Sequence, residues 1–426
     1  MKTKKLIATI FLIFIILFNF EYVLSAESSS STPSSIPSIT STSAILIDNR
    51  TNKILYNKDI NKKMFPASTT KILTAIIVLE NCDLDDIVTA SYNAVMSVPE
   101  GYSTANIQIG EQLTVEQLLE LLLVCSANDA ANVLAEYVGG SIDSFVAMMN
   151  TKVNELGLSD SHFTNCYGKH DENHYTTAYD LAFIMKYCLK NDTFRKIAGQ
   201  ASCAIPATNK SESRSYDSTN ELLIPSTLNY YKYLTAGKTG FTSQAKECLV
   251  SSAYRDNLEL ICVVLGSSNR FSDTRMLYEY AYSNYSIKNI VNEKDKVTSI
   301  EVKNATKDTK NLDLLSSESV PVLINNSESI SDITPEITLS ENIYAPIDES
   351  SSLGKVKYTV DGVEYTTTII ASHSVEKSKL LIYILYLLGV FIIAIIIFSI
   401  FLYKHKRKIV DWFYSYNYLI LCSAHV

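Results

Sequence analysis

The apolar positions along the chain change texture three times. Ala44–Asp48 is mostly apolar and β-prone, Asn49–Asn52 is turn-rich, and Lys53–Tyr56 resumes the strand pattern, which together predict a β-hairpin. A helical block follows. From Lys71 to Leu79 apolar residues recur at helical spacing. Thr114 and Gln117 form a capping-box pair ahead of the mostly apolar run Leu118–Val124. Asp129–Val138 reads as a helix stopped by Gly139-Gly140, and Phe145–Leu156 as another stopped by Gly157. Thr177, with Asp180 three positions on, opens one more. Strand patterns then return at Tyr233–Thr239, Cys248–Tyr254 and Leu258–Leu265, with Arg255-Asp256-Asn257 as a turn, before a helical stretch at Met276–Tyr282. Strands at both ends and helices between predict an α+β domain over residues 43–289, its sheet mainly antiparallel.

From about Asn289 short β-prone stretches alternate with Ser, Asn, Asp and Glu clusters: Val297–Val302, Ser319–Leu323, Lys355–Val360 and Tyr365–Ile370. Asp361-Gly362 between the last two is a hairpin signal, because both turn positions need positive φ. Residues 290–373 are expected to form a small all-β domain.

The two ends carry different apolar runs. Lys2, Lys4 and Lys5 precede Leu6–Phe18, and small residues Ser25 and Ala26 follow, so residues 1–26 read as an export signal. Residues 27–42 are a leader rich in Ser, Thr and Pro. Leu380–Tyr403 has no charged residue and exceeds the roughly 20 residues a bilayer span needs. Lys404, His405, Lys406, Arg407 and Lys408 follow at once, which marks residues 404–426 as a cytoplasmic tail. The chain is therefore expected to be exported and held in the cytoplasmic membrane by a helix over residues 380–403, with everything between the two apolar segments outside.

Composition narrows the class. Of 426 residues, 47% are hydrophobic and 19% charged, which permits a sizeable core, and a net charge of −8 argues against nucleic acid as a partner. Of eight cysteines, Cys422 lies in the C-terminal tail; the other seven, Cys82, Cys125, Cys166, Cys188, Cys203, Cys248 and Cys262, have no CxxC or CxxH spacing and read as small hydrophobes rather than a disulfide framework.

Three short motifs carry candidate chemistry. In Ser68-Thr69-Thr70-Lys71 the lysine follows the serine by one helical turn, on the same face. A serine hydroxyl needs a base beside it, and a lysine serves when burial lowers its pKa. Ile72, Leu73, Ile76 and Ile77 supply that apolar surrounding. Ser126-Ala127-Asn128 falls between two predicted helices, where a hydroxyl can relay a proton and an amide can hold a lysine or a substrate carbonyl. Lys238-Thr239-Gly240 closes a β-prone segment. There a cation and a hydroxyl can bind a carboxylate, and a glycine leaves room for a substrate lying along the strand.

Each motif alone is weak, but their order and contexts agree, and together they form the set shared by penicillin-binding proteins and class A β-lactamases. The chain resembles the low-molecular-mass penicillin-binding proteins, the serine-type D-alanyl-D-alanine carboxypeptidases, over roughly residues 43–373. Pro66–Lys71, Glu155–Leu158, Thr164-Asn165, His170–Asp180 and Gly237–Thr242 carry that resemblance. It implies a penicillin-binding, β-lactamase-like transpeptidase domain, a small all-β domain and a membrane attachment. It implies Ser68, Lys71 and Ser126 as catalytic residues, Asn128, Lys238, Thr239 and Gly240 as substrate-binding residues, and an oxyanion hole from the backbone N–H groups of Ser68 and Phe241. The implied substrate is a peptidoglycan stem peptide ending in D-Ala-D-Ala, with β-lactams as inhibitors and no cofactor.

The cluster His170, Asp171, Glu172 and His174 invites a metal, but it has no HExxH pattern and the resemblance accounts for it without one. A β-lactamase is the nearest rival, and the glutamate of class A enzymes has no counterpart in context. A sensor on the same scaffold is a second rival, opposed by the intact Ser68, Lys71, Ser126 and Lys238. The chain departs from the family at Asn165-Cys166, at Ala245-Lys246-Glu247-Cys248-Leu249 and in spanning, rather than lying on, the membrane.

Overall fold

A computed structural model describes residues 35–423. The export signal expected over residues 1–26 and the start of the leader lie outside the described residues. The chain divides into two compact units, one holding residues up to Ile287 with Ile324–Glu328, the other Lys288–Leu323 with residues from Ser329 onward.

The first unit is built on a five-stranded sheet: β1 (Ser43–Asp48), β2 (Ile54–Lys58), β3 (Leu234–Thr242), β4 (Lys246–Arg255) and β5 (Leu258–Ser267). The order is β2-β1-β5-β4-β3, antiparallel at every pairing. The β1–β2 and β4–β5 hairpins follow from their turns. The pairing of β1 with β5, which sets Ile45 opposite Val263, joins the two ends of the domain. All six residues of β1 are buried, and its centre, Ala44–Ile47, is an apolar run rather than an alternation. Both faces of the sheet are covered. Val250 of β4 packs in the cluster that holds the helices, while its neighbour Ser251 bonds Tyr278 through their hydroxyls at 2.9 Å.

The helices that position the site are α1 (Lys71–Asn81), α2 (Val115–Leu123), α3 (Asn128–Gly139), α4 (Ile142–Glu155), α5 (Ala178–Cys188) and α6 (Arg270–Asn284). Every residue of α1 from Lys71 to Val78 is buried, so this apolar helix runs through the middle of the unit. The capping box at Thr114 is made in full. Helix α3 ends at Gly140, whose φ of 71° is the left-handed conformation a glycine allows. Helix α6 begins earlier than Met276, because the Asn269 side chain caps it by accepting from the N–H of Ser272.

The second unit holds a sheet of β6 (Lys296–Glu301), β7 (Asn311–Ser316), β8 (Glu336–Leu339), β9 (Ser352–Val360) and β10 (Val363–Ala371), in the order β6-β7-β10-β9-β8. Asp361 and Gly362 both take positive φ, 49° and 78°, in the two-residue turn between β9 and β10. Strands β7 and β8 lie outside the stretches expected from the sequence; Glu336–Leu339 of β8 alternates polar and apolar residues, but it is only four residues long and exposed at every position.

Helix α7 runs Leu380–Ser423, and its Ile382–Asn417 stretch is long and apolar enough to cross a membrane. The expected helix ends at Tyr403, but the observed one continues through the basic cluster. No glycine or proline follows Gly389 to interrupt it. Among the described residues the seven cysteines named above are free thiols; five are buried, and Cys82 and Cys125 are half-buried.

Candidate active site

Ser68 sits in a short 3-10 turn, Ala67–Thr70, that leads straight into α1. This geometry puts Lys71 one turn below it. The lysine is fully buried, and its Nζ lies 2.9 Å from Ser68 Oγ, 2.6 Å from Asn128 Oδ1 and 3.1 Å from the Tyr167 carbonyl oxygen. Burial pulls its pKa down to about 7, against a smaller upward pull from Asp129 among others. A neutral amine has two N–H groups and one lone pair. Asn128 Oδ1 and the Tyr167 carbonyl can only accept, so the lone pair is left facing the Ser68 hydroxyl.

The turn that carries Ser68 is held from several sides. Ala67 takes φ 47°, a left-handed conformation unusual for alanine. Gly168 lies against it, and a Cβ there would come within 1.8 Å of the Ala67 carbonyl oxygen. Gly240 of β3 presses on the same turn: a Cβ would lie 2.8 Å from the Pro66 oxygen and 3.0 Å from the Ser68 nitrogen. Its bareness therefore lets the strand seat against the Ser68 turn.

Ser126 has φ 65° in the link between α2 and α3, and strain of this kind is common where a side chain must be aimed. The link is tied down by two backbone bonds, Ala127 N–H to Leu121 O at 2.9 Å and Asn128 N–H to Ser103 O at 2.9 Å. Asp129 extends the anchoring by accepting from the N–H groups of Ala105 and Ile107.

Lys238 lies inside β3, an edge strand that runs on to Thr242. It is fully buried, and Nζ donates to the Thr239 carbonyl at 3.1 Å and to Thr219 Oγ1 at 3.4 Å. Burial first, then the Lys71 and Arg270 charges, push its pKa well below the usual lysine value. Thr219 and Thr239 share a hydroxyl bond of 2.6 Å. The departure after Thr242 resolves into a closed turn. The N–H of Ala245 donates to Thr242 Oγ1, Lys246 takes φ 59°, and Glu247 accepts from the N–H of Arg270 at 3.0 Å.

These groups meet at one cleft of about 540 Å³, whose lining includes Ser68, Ser126, Asn128, Thr239, Gly240 and Phe241. Lys71 and Lys238 lie behind its wall, reached through Ser68 and Thr239. The sequence reading missed Thr219, Tyr167, Gly168 and Arg270, which also line it. Arg270 donates through Nη1 to the Gly240 carbonyl at 3.0 Å. Nothing in the local pattern marked Thr219 or Arg270, whereas Gly168, an isolated glycine in a loop, was a legible signal of close backbone approach.

An antiparallel sheet covered by helices, with a serine, a buried lysine and a second serine at one cleft, defines a serine acyl-transfer enzyme of the penicillin-recognising class. The family model described as D-alanyl-D-alanine carboxypeptidase matches residues 29–269, and the one described as penicillin-binding protein 5, C-terminal domain, matches residues 285–377. D-alanyl-D-alanine carboxypeptidase DacF of Bacillus subtilis is 33% identical over 329 residues, covering 75% of this chain and 82% of the relative. The crystal structure of penicillin binding protein 5 from Haemophilus influenzae is 26% identical with a TM-score of 0.61, covering 81% of this chain and 100% of that one. The Streptomyces K15 DD-transpeptidase is 31% identical with a TM-score of 0.55, covering 59% of this chain and 100% of that one. The chain belongs to the low-molecular-mass penicillin-binding proteins, the family of serine-type D-alanyl-D-alanine carboxypeptidases.

Proposed function

We propose that this protein removes the terminal D-alanine from peptidoglycan stem pentapeptides through an ester on Ser68. The observation that carries the assignment is the buried Lys71 amine beside the Ser68 hydroxyl. Lys71 takes the hydroxyl proton as Ser68 Oγ bonds to the carbonyl carbon between the last two D-alanines. The C–N bond breaks, and Ser126 passes a proton to the leaving amine. Water then cleaves the ester. The N–H groups of Ser68 and Phe241 hold the oxyanion, a contact worth about 10²–10³ in rate per donor. Asn128 steadies Lys71 and the substrate amide. Lys238, with Thr239, receives the terminal carboxylate: its own partners are neutral oxygens, so an entering anion restores the favoured charged form. β-Lactams acylate the same serine.

The reading extends to placement. Residues 43–289 form the catalytic domain and residues 290–373 a small β domain. The chain is exported and held in the cytoplasmic membrane by residues 380–403, with the cleft on the cell-wall side. The length and apolarity of Leu380–Tyr403 in α7 and the lysines and arginine that follow Tyr403 support this.

Mass spectrometry of the penicillin-treated protein is expected to find the adduct on Ser68. Ser68→Ala is expected to abolish labelling and D-alanine release from a peptide ending in D-Ala-D-Ala. Continued release by that variant would refute the nucleophile assignment.

A further inference from the structure

His174 is a buried imidazole with no part in the proton path above, and its surroundings fix its tautomer. The backbone N–H of Thr164 donates to Nδ1 at 3.0 Å, and the Asn165 amide lies 3.3 Å from the same nitrogen, so Nδ1 is the acceptor. The proton is on Nε2, which lies 2.9 Å from Thr70 Oγ1. The Thr70 hydroxyl has one hydrogen, and it donates that to the Ala67 carbonyl at 2.8 Å. It must therefore accept from His174. The result is a directed chain from Thr164 N–H through His174 and Thr70 to Ala67, the residue immediately before Ser68. That carbonyl belongs to the left-handed turn, φ 47°, that delivers Ser68 to the cleft.

We propose that His174 is a positioning residue for acylation: through Thr70 it holds the Ala67 carbonyl, and so fixes the direction of the Ser68 hydroxyl and N–H. A left-handed alanine does not hold itself. Gly168 and Gly240 pack against the turn, but packing alone restrains it without direction, whereas the hydroxyl bond fixes where the carbonyl points. A charged ring would break the chain at its start, because Nδ1–H would face the Thr164 N–H. The groups around the ring oppose that charge. Thr70, Thr164 and Asn165 contact it as neutral partners, Phe163 packs edge-on at 5.3 Å, and burial together with His162 and His170 outweighs Asp171, holding the pKa down to about 3. Neutrality is thus kept throughout the working pH range.

The inference rests on Ser68 being the nucleophile, and the experiment separates the two. The full chain in detergent is first acylated with a fluorescent penicillin and the adduct located; an adduct elsewhere than Ser68 overturns the reading of the site. The acylation rate constant is then measured for His174→Phe, His174→Gln, Thr70→Val, Thr70→Ser and the double variant His174→Phe/Thr70→Val. Displacement of a reacting group by about 1 Å can cost about 10²-fold. His174→Phe and Thr70→Val are each expected to slow acylation by about 10–10²-fold. The double variant should be no slower than either, because both break one chain. His174→Gln, which keeps a neutral donor near Nε2, and Thr70→Ser, which keeps the hydroxyl, should recover most of the rate. The pH midpoint of acylation should stay that of Lys71 in every variant. Additive losses in the double variant, a shifted midpoint, or no recovery with Gln and Ser each overturn the proposal.

Discussion

Asn128 Oδ1 accepts from Lys71 Nζ at 2.6 Å, the shortest of the contacts that amine makes. Burial brings Lys71 down to about 7 against the upward pulls of Cys166, Cys125 and Asp129, and an acceptor as close as Asn128 favours the charged amine by its geometry. The competent base is the neutral form. Acylation is therefore expected to rise with pH through about 7 and to level off above it, as measured by penicillin acylation rates across pH. Asn128→Leu removes the acceptor and should move the midpoint down.

Lys71→Arg cannot lose its proton in the working range, so it is expected to lower acylation by about 10²–10⁴-fold while the protein still folds. Fluorescent penicillin labelling, with circular dichroism as the folding control, checks this.

The close approach of Gly168 to Ala67 predicts a steric limit. Gly168→Ala would bring a Cβ to 1.8 Å from the Ala67 oxygen at a residue whose φ is 90°. Backbone strain of this kind costs about 1–3 kcal/mol, and the clash adds to it. Thermal unfolding should show the loss. In whatever fraction still folds, acylation should fall further than stability, because the displaced atoms adjoin Ser68. Gly140→Ala meets no atom nearby and is the control: it should cost stability only.

Lys238→Gln tests the carboxylate role. Hydrogen bonds to charged groups are worth about 1.5–3 kcal/mol, so kcat/KM for a peptide with a free C-terminus should fall by about 10–10²-fold. A peptide with an amidated C-terminus should respond little. Equal losses on both peptides would assign Lys238 to the chemistry instead.

His174 also predicts an acid limit on stability. Its folded pKa, about 3, lies below the ordinary 6.5, so the unfolded chain takes up the proton first. The contribution is complete above about pH 6.5 and is lost as pH falls toward 3. Thermal unfolding of the full chain in detergent should show this fall, and His174→Gln should flatten that part of the profile.

What the sequence by itself determined was local. The turn of helix that sets Lys71 beneath Ser68, the capping box at Thr114, the stop at Gly140 and the Asp361-Gly362 hairpin each depend on the φ and ψ of a few neighbours. Residue types report those preferences directly. The family motifs were legible for the same reason: each is a short segment with one backbone requirement. The tertiary structure alone decided what lies between segments far apart in the chain. It paired β1 with β5, brought Thr219 and Arg270 to the cleft, and seated Gly168 and Gly240 on the Ser68 turn. It also gave His174 its place on Thr70, where the sequence offered a metal-like cluster. Burial, too, belongs to the assembled fold: Lys71 has a pKa near 7 because distant segments exclude water from its amine, and a sequence pattern can promise that exclusion but cannot set its extent.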